Sequence, residues 1–390
     1  MLKNFWFALL LHLASLNTVI SNQYLKLIGL IALLILLLLV SYETIYFLLK
    51  KQQIPRILFT VFISFIILIS VYIIMTLGTS INSKNLYVVI QVLLVSLFTF
   101  GVSLKTWQDN QLNNFTLITS IFIAFIFLWW LFLNRRFNGF QAYFGNPNTL
   151  AAFIWNLQFF LFAKLVHSPK NKYKYMLFIF LANFIIFISG ARSLFISSIF
   201  SILVYVFWSF WVVNKRIYNL LFLLFVLFLG SFTYFYAKIL PSLYELNYYA
   251  QLSKEYTGKG LLSGRQIIWS ILIDRISEQP LYGYGSGTTP SDLIGITLSS
   301  HNLYLQILIQ VGFLGLIAFA LLMFRIWCVY RIGYRDKIVR LSASFMIGIL
   351  IHQSFEVTLI QNNLAIGLLQ FMVISIGLSR TIKLAILQKA

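Results

Sequence analysis

The stretch LIGLIALLILLLLV, residues 27–40, contains no charged or hydrogen-bonding side chain. It lies within an apolar segment, residues 25–48, that is long enough to cross the roughly 30 Å hydrocarbon core of a bilayer as a helix. Similar segments recur along the 390-residue chain, in which 60% of residues are hydrophobic and 10% are charged. A soluble domain carries about a quarter charged residues. The sequence therefore predicts an all-α, polytopic membrane protein.

We predict about twelve transmembrane helices in a single integral membrane domain, residues 1–390, with one large external loop, residues 238–300. The spans are predicted at residues 4–21, 25–48, 57–77, 86–104, 115–133, 149–165, 175–189, 193–213, 217–237, 302–324, 341–355 and 358–379.

The external loop contains the segment SGRQIIWSILIDRISEQP, residues 263–280. Its apolar residues recur at helical spacing opposite charged ones, and Pro280 ends the pattern. This arrangement predicts an amphipathic helix that lies on the outer membrane surface. The apolar residues are Ile267, Ile268, Ile271, Leu272 and Ile276.

Lysine and arginine outnumber acidic residues 29 to 9, which gives a net charge of +20. In a membrane protein these residues first indicate orientation, because they are enriched in cytoplasmic loops. Most of them share one side of the predicted spans if the N-terminus is cytoplasmic. We therefore expect both termini to be cytoplasmic, membrane lipid to be a partner and nucleic acid not to be one.

The single cysteine, Cys328, excludes an internal disulfide. The nine acidic residues form no conspicuous group, so we expect neither a metal nor a cofactor.

Unusual polar residues gather at the predicted external ends of the helices. Simple structural explanations exist for several of them: turns and helix caps for the Asn and Gly motifs, and contact with lipid headgroups for paired arginines. The set comprises Arg135, Arg136, GNPN at 145–148, Arg192, Arg265, GYGSG at 283–287, His301, Asn302 and HQSFE at 352–356.

Three of these residues are harder to explain by structure alone. Arg192 lies between two apolar stretches, where an unpaired charge is costly, so an anion is a natural partner. Arg265 lies in the first turn of the predicted loop helix, where the helix dipole disfavours a cation. His301 is placed in the first turn of a spanning helix, whose positive end favours the neutral imidazole that a general base requires. A histidine that only hydrogen-bonds a loop carbonyl at headgroup level is the alternative.

His352 and Glu356 are four residues apart and share a helix face. We assign them to acceptor binding or to the orientation of His301; a local structural pair is the alternative. Asn302 is predicted to cap its helix or to contact the acceptor. Arg135 and Arg136 complete the candidate substrate-binding set.

Four segments carry a resemblance to a known family. They occur in the order and spacing seen in the O-antigen ligase family, which the chain resembles over about residues 140–330. The segments are FGNPNTLAAF (144–153), ISGARSLFIS (188–197), SGRQIIWSILIDRISEQPLYGYGSG (263–287) and SSHNLYLQILIQVGFLGLI (299–317).

The resemblance implies a metal-independent membrane glycosyltransferase of the O-antigen ligase or polysaccharide polymerase type, used in lipopolysaccharide and other surface polysaccharide biosynthesis. Its donor would be a glycan linked to undecaprenyl diphosphate, and its acceptor a glycan or lipid-core sugar, at the external face of a bacterial inner membrane. His301 then looks like the catalytic base and Arg265 like a diphosphate-binding arginine. Arg192 matches a further arginine of the family, although Ala191 stands where a polar residue is common.

Two questions stay open at this stage. The residues do not distinguish a ligase from a polymerase, because the two differ only in acceptor. A twelve-helix transporter of lipid or solute is the alternative from another class, although transporters concentrate binding groups near the midplane, whereas here the polar residues gather at one surface.

The orientation is testable by cysteine labelling. A cysteine introduced at Ser253 is expected to react with a membrane-impermeant maleimide applied outside intact cells, and one at Asn171 is not, because the charge distribution places them on opposite sides. The reverse labelling pattern would overturn the orientation.

Overall fold

The fold is a bundle of membrane-length helices. A computed structural model of the protein describes residues 2–20, 22–50, 55–79, 81–107, 109–167, 172–243, 251, 255, 264–295 and 299–387. In chain order the helices are α1 (Leu2–Leu13), α2 (Gln23–Leu49), α3 (Arg56–Thr79), α4 (Ser83–Leu104), α5 (Asp109–Leu133), α6 (Pro147–His167), α7 (Lys172–Ser189), α8 (Arg192–Val212), α9 (Lys215–Tyr234), α10 (Arg265–Glu278), α11 (Pro290–Ile294), α12 (Leu303–Ile332), α13 (Lys337–Gln353) and α14 (Leu364–Leu387).

Ten helices within the described part of the chain are long and apolar enough to cross a membrane, namely α2 to α9, α12 and α14. The all-helical, polytopic prediction is therefore confirmed. The first predicted span, 4–21, is interrupted, because α1 ends at Leu13 and a 3-10 helix follows over Ala14–Thr18. The span at 341–355 is the 17-residue α13, which is roughly 25 Å long. The span at 358–379 begins later, at Leu364.

Successive long helices run in alternating directions, so their connections fall at two opposite ends of the bundle. At one end, the Gly145 amide donates to the Thr18 carbonyl, and the Phe140 amide donates to the Ile188 carbonyl. We call this the loop end, because α10, which lies in the predicted external loop, is there too. The candidate residues that the sequence singled out therefore share one end of the bundle. Ser253 and Asn171 lie outside the described residues. The exposed Ser277 lies at the loop end, and the exposed Tyr173 lies at the opposite end.

The predicted loop helix is confirmed as α10, but its environment differs from the prediction. Its apolar face packs on the protein, against Ala237 after α9 and against Leu305 and Ile309 of α12, rather than lying free on the membrane surface. The indole nitrogen of the buried Trp269 donates to the Ser300 carbonyl at 2.7 Å. These contacts fix α10 to the helix that follows the loop.

The glycine-rich motif after α10 docks on a break in α12. Gly312 has a φ of 62° and a ψ of −162°, which interrupts the helix. The Tyr284 amide donates to the Ile309 carbonyl at 2.8 Å, and the Phe313 amide donates to the Pro280 carbonyl at 2.8 Å. The loop backbone thus supplies hydrogen-bond partners at the break, which a membrane-embedded backbone requires.

A buried polar network anchors the same motif to the N-terminal helices. Ser286 is fully buried, and its hydroxyl lies 2.6 Å from the Thr76 hydroxyl of α3. The Gly287 amide donates to the Asn85 side chain of α4 at 2.6 Å. A Cβ at Gly287 would lie 2.5 Å from that Asn85 oxygen, so the glycine permits close approach to protein. The motif is therefore a packing element in this structure, in agreement with its reading as turn glycines.

Substitution of Gly312 by alanine is expected to destabilise the fold. A Cβ there would lie 2.3 Å from the Leu281 carbonyl group, and the left-handed φ disfavours any L side chain. We expect a cost of about 1–3 kcal/mol, seen as a lower melting temperature in detergent by tryptophan fluorescence. The control is Gly78→Ala, where a Cβ meets nothing within 4 Å. Equal melting temperatures for the two variants would contradict this account.

Candidate active site

The candidate site is centred on the carboxylate of Glu356, which lies in the turn after α13. Its side chain is 14% exposed. One oxygen accepts from the Arg265 guanidinium at 2.9 Å and from the side-chain nitrogen Nδ2 of Asn148 at 2.8 Å. The other oxygen lies 3.0 Å from Nδ1 of His301. We call these four residues the Glu356 cluster.

Each member of the cluster comes from a different element at the loop end. Arg265 begins α10, directly after Gly264 in the left-handed conformation. Asn148 lies in the first turn of α6, which Pro147 begins. His301 directly precedes the N-cap of α12. Residues far apart in sequence thus meet because three helix starts and one helix end converge.

His301 lies two positions before the first helical residue of α12, outside the helix rather than in its first turn. The expectation placed it in the first turn of α12, but the helix begins at Leu303 and Asn302 is its N-cap. His301 has a φ of +47°, an uncommon conformation for a residue other than glycine. Its amide donates to the Ser299 hydroxyl at 3.2 Å. Since the side chain lies outside the helix, its nearest charged partner is Glu356 rather than the helix end.

Electrostatics favour the ionised form of Glu356. Burial by itself raises the pKa of a carboxyl. The hydrogen bond with His301 and the charges of His301 and Arg265 outweigh that effect, so the pKa of Glu356 lies below its usual value. An ionised Glu356 can only accept, so Nδ1 of His301 carries the hydrogen of this bond. In the neutral form of the ring, Nε2 is then the acceptor. The His301 side chain is 28% exposed, so the ring is accessible.

Asn302 has a structural position. It is fully buried, and its side-chain oxygen accepts from the Leu305 amide, as the predicted cap requires. Its side-chain nitrogen donates to the Thr233 hydroxyl and to the Ser354 carbonyl, each at 3.2 Å. These bonds join α9, α12 and the turn that carries Glu356. Contact with an acceptor, which we expected as one possibility, has no support in this geometry.

His352 lies one turn before Glu356 and is buried. Neither ring nitrogen has a hydrogen-bond partner among the described residues. The expected side-chain pair between His352 and Glu356 is therefore not formed, and the partners of Glu356 are Arg265, Asn148 and His301. The Ser354 hydroxyl and the Gln266 side-chain oxygen also lack described partners. Buried polar groups of this kind call for water or a ligand.

The remaining candidate arginines lie at the loop end, and their side chains are exposed. Arg192 begins α8, where Ala191 provides no side-chain cap. Arg135 Nε donates to the Leu131 carbonyl at 2.8 Å, and the Arg136 carbonyl accepts from Trp130. Among these candidate arginines, Arg265 forms the described ion pair with Glu356.

Asn148 is the member of the Glu356 cluster that sequence reasoning did not assign to the site. The motif GNPN drew attention, but a turn and a helix cap explained it. The Asn146 side chain indeed accepts from the Asn148 amide at 2.7 Å. The contact of Asn148 with a carboxylate 208 residues away has no signal in the local sequence.

Among the described side chains, no group of three or more His, Cys, Asp or Glu is placed to hold a metal ion. The cluster itself contains one carboxylate, one imidazole, one guanidinium and one amide. Its chemistry is that of proton transfer and anion binding.

The fold and this site define a polytopic helical membrane protein with a histidine–carboxylate–arginine cluster at one end of its bundle. Residues 176–320 match the O-antigen ligase family. The match includes Arg192, Arg265 and His301, and it confirms the resemblance drawn from the sequence. A comparison with curated proteins finds none that matches. This similarity supports a membrane protein of the O-antigen ligase or polymerase type and suggests a glycosyl-transferring enzyme.

Replacement of Glu356 by glutamine is expected to lower the melting temperature at neutral pH. Breaking a buried pair by removing one partner costs about 3–5 kcal/mol. The control is Glu278→Gln, which breaks an exposed pair with Arg275, whose side chains are 46% and 52% exposed. That change is expected to be nearly silent.

The same variant gives a pH test. Because folding lowers the pKa of Glu356 below its ordinary value of 4.5, the ionised carboxylate stabilises the fold above pH 4.5. That contribution is lost as the pH falls through the lower folded-state pKa. The difference in melting temperature between wild type and Glu356→Gln should therefore shrink on acidification. A difference that does not change with pH would contradict an ionised Glu356.

Proposed function

We propose that the protein transfers a glycan from an undecaprenyl-diphosphate-linked donor to a sugar hydroxyl at the external face of a bacterial inner membrane. The reaction would belong to the synthesis of lipopolysaccharide O-antigen or a related surface polysaccharide of the cell envelope. The observation that carries this proposal is the 3.0 Å contact between His301 Nδ1 and the side-chain carboxyl group of Glu356 within the Glu356 cluster. This contact supports His301 as a base that lies beside Arg265, a group that can bind an anion.

In this proposal His301 is the general base. Glu356 holds the ring by its Nδ1–H, so that Nε2 accepts the proton of the acceptor hydroxyl. The acceptor oxygen forms a bond to the anomeric carbon, and the bond from that carbon to the diphosphate breaks. The bonding electron pair leaves with the diphosphate. Attack opposite the leaving group in one step inverts the anomeric configuration.

Arg265 and Arg192 are proposed to stabilise the leaving diphosphate. A guanidinium has five N–H donors in a planar fork that fits phosphate oxygens. The Arg265 contact with Glu356 engages Nη2, and the rest of the fork suits a phosphate. Preorganised cations contribute strongly where charge develops on a leaving group. Because diphosphate leaves readily as an anion, the mechanism requires neither a metal nor a general acid.

The remaining candidates have supporting parts in the proposal. Arg135 and Arg136 are exposed at the loop end and are proposed to attract the diphosphate or an anionic sugar. His352, whose ring nitrogens have no hydrogen-bond partner within the described part of the chain, is proposed to bind an acceptor hydroxyl directly or through water. Asn302 is proposed to act by holding the His301 turn against α9.

Whether the acceptor is the protein's own growing glycan or a lipid-core sugar defines a polymerase or a ligase, and both are compatible with the same cluster. A deletion strain separates them. Accumulation of lipid-linked polymer, with none attached to the lipid core, identifies a ligase, whereas single-repeat products identify a polymerase.

The transporter reading has one feature in its favour, the break in α12 at Gly312, since transporters bind substrates at broken helices. Here the backbone of the loop motif occupies the break, with Tyr284 and Gly285 bonded to it. Gln310, beside the break, bonds to Gln361 at 2.6 Å. The break is thus a packed junction, which supports the enzyme over the transporter.

The decisive experiment is single-turnover transfer by purified protein in detergent, with bound lipid-linked donor and saturating acceptor. His301→Ala is expected to reduce the rate by about 10²- to 10⁴-fold, the usual contribution of a general base. His167→Ala, an exposed histidine at the opposite end of the bundle, is the control. A wild-type rate for His301→Ala would eliminate His301 as the base. Absence of transfer by wild type without a second compartment would favour transport.

A further inference from the structure

Two cavities lie at the end of the bundle opposite the loop end, where α2, α4 and α14 end. Their volumes are about 640 Å³ and 390 Å³, within the range of roughly 300–1,000 Å³ found for ligand pockets. Phe47 of α2, Leu104 of α4 and Thr106 line both cavities, so the two adjoin. We call the pair the α2–α4–α14 groove.

The larger cavity of the groove is lined by basic and aromatic side chains. One face of α2 supplies Tyr42, Tyr46 and Lys50 at intervals of four residues, and Lys105 is the C-cap of α4. Lys105 Nζ lies 3.2 Å from the carboxylate of Glu43, which also lines the cavity, so these two charges are paired. Lys50 Nζ lies over the Tyr46 ring, 4.6 Å from its centroid. Within the described part of the chain, Lys50 has no carboxylate partner.

The smaller cavity adds a further lysine and a largely apolar wall. Lys383 of α14 is exposed and forms no ion pair with a described residue. Ser103 is only 1% exposed, and its hydroxyl has no hydrogen-bond partner among the described residues. A buried hydroxyl of this kind calls for a ligand or water. The apolar lining residues are Phe47, Pro55, Leu104, Ile382, Ile386 and Leu387.

The lining of the groove matches an amphipathic anion. Because Glu43 balances only Lys105, Lys50 and Lys383 leave the described lining residues with two positive charges in excess. A soluble phosphate would use these charges but would leave the apolar wall of the smaller cavity uncovered. The three helices that form the groove are of membrane-spanning length and composition, so bilayer lipid lies alongside it.

The position of the groove in the membrane points to the same class of ligand. It lies on the side that the distribution of lysine and arginine predicts to be cytoplasmic. Basic pockets between transmembrane helices on that side bind the headgroups of anionic lipids. Tyr42 and Tyr46 are exposed and stacked, with ring centroids 6.3 Å apart, as aromatic side chains at the level of the headgroups are expected to be.

We propose that the α2–α4–α14 groove binds an anionic phospholipid. Lys50 and Lys383 hold the phosphate of the headgroup, and an acyl chain covers the apolar wall of the smaller cavity. The ester groups of a phospholipid lie between its phosphate and its chains, and the Ser103 hydroxyl is a donor for one of their carbonyl oxygens. The site is at the opposite end of the bundle from the Glu356 cluster, so the inference does not depend on the proposed reaction.

The experiment uses native mass spectrometry of the full-length protein in detergent to measure dissociation constants for two lipids. Dioleoyl phosphatidylglycerol and dioleoyl phosphatidylcholine have the same chains and differ in headgroup charge. We expect the anionic lipid to bind wild type more tightly. Lys50→Gln and Lys383→Gln should each weaken phosphatidylglycerol about fivefold, the effect of one basic residue beside an anionic lipid, and should leave phosphatidylcholine unchanged.

Lys172→Gln is the matched control for Lys50→Gln. Lys172 is exposed at the start of α7, at the same end of the bundle, and lies over the Tyr173 ring as Lys50 lies over the Tyr46 ring. It does not line the groove, so its replacement should leave both dissociation constants unchanged.

Thr106→Trp tests the apolar part of the site independently of charge. Thr106 is exposed and lines both cavities, so an indole there occupies space that the lipid needs. We expect this variant to weaken phosphatidylglycerol about tenfold, the effect of losing the burial of about two methylene groups.

Three outcomes would contradict the inference. Equal dissociation constants of wild type for the two lipids would exclude recognition of the anionic headgroup. If both lysine variants and Thr106→Trp bind phosphatidylglycerol as wild type does, the lipid lies elsewhere. If glycerol 3-phosphate at the same concentration as the lipid displaces phosphatidylglycerol from wild type, the groove is a site for a soluble phosphate ester. None of these results bears on transfer by His301, which the single-turnover experiment tests separately.

Discussion

Glu356 places a carboxylate where the bundle leaves it only 14% exposed, and such a group must find cationic or N–H partners within the protein. Its two oxygens reach Arg265, Asn148 and His301. These contacts join the loop helix, α6 and the entry to α12 to the end of α13. The requirement to satisfy one buried charge therefore fixes the relative positions of the elements that form the candidate site. The same contacts keep the carboxylate ionised, because they favour its charged form.

The loop between α9 and α12 is held by a second constraint, the need for partners at a break in a membrane helix. Gly312 interrupts α12, and the segment that contains Tyr284 and Gly285 bonds to the backbone there. Ser286 then reaches α3 through Thr76. Because residues 284–286 bond to both α12 and α3, this part of the loop is packed into the bundle. Arg265, at the start of α10, therefore approaches Glu356 from a fixed helix.

Several properties were determined by the sequence itself. Apolar runs such as residues 27–40 predict membrane helices because a bilayer imposes length and composition on each span separately. The amphipathic pattern of α10, the cap at Asn302 and the unusual positions of Arg265 and His301 are likewise local signals. Boundaries were less accurate: the predicted span 4–21 runs past Leu13, where α1 ends and the mostly polar 3-10 helix Ala14–Thr18 begins.

Only the tertiary structure decided how these residues meet. His301 and Glu356 are 55 positions apart, and Asn148 and Glu356 are 208 apart, so no periodicity along the chain relates them. The sequence paired Glu356 with His352 by helical spacing, but the turn after α13 directs the carboxylate to other elements. The docking of α10 on α12 also depends on packing between helices. Local composition determines whether a segment can form a membrane helix. The partners of a buried charge depend instead on which segments the fold brings together.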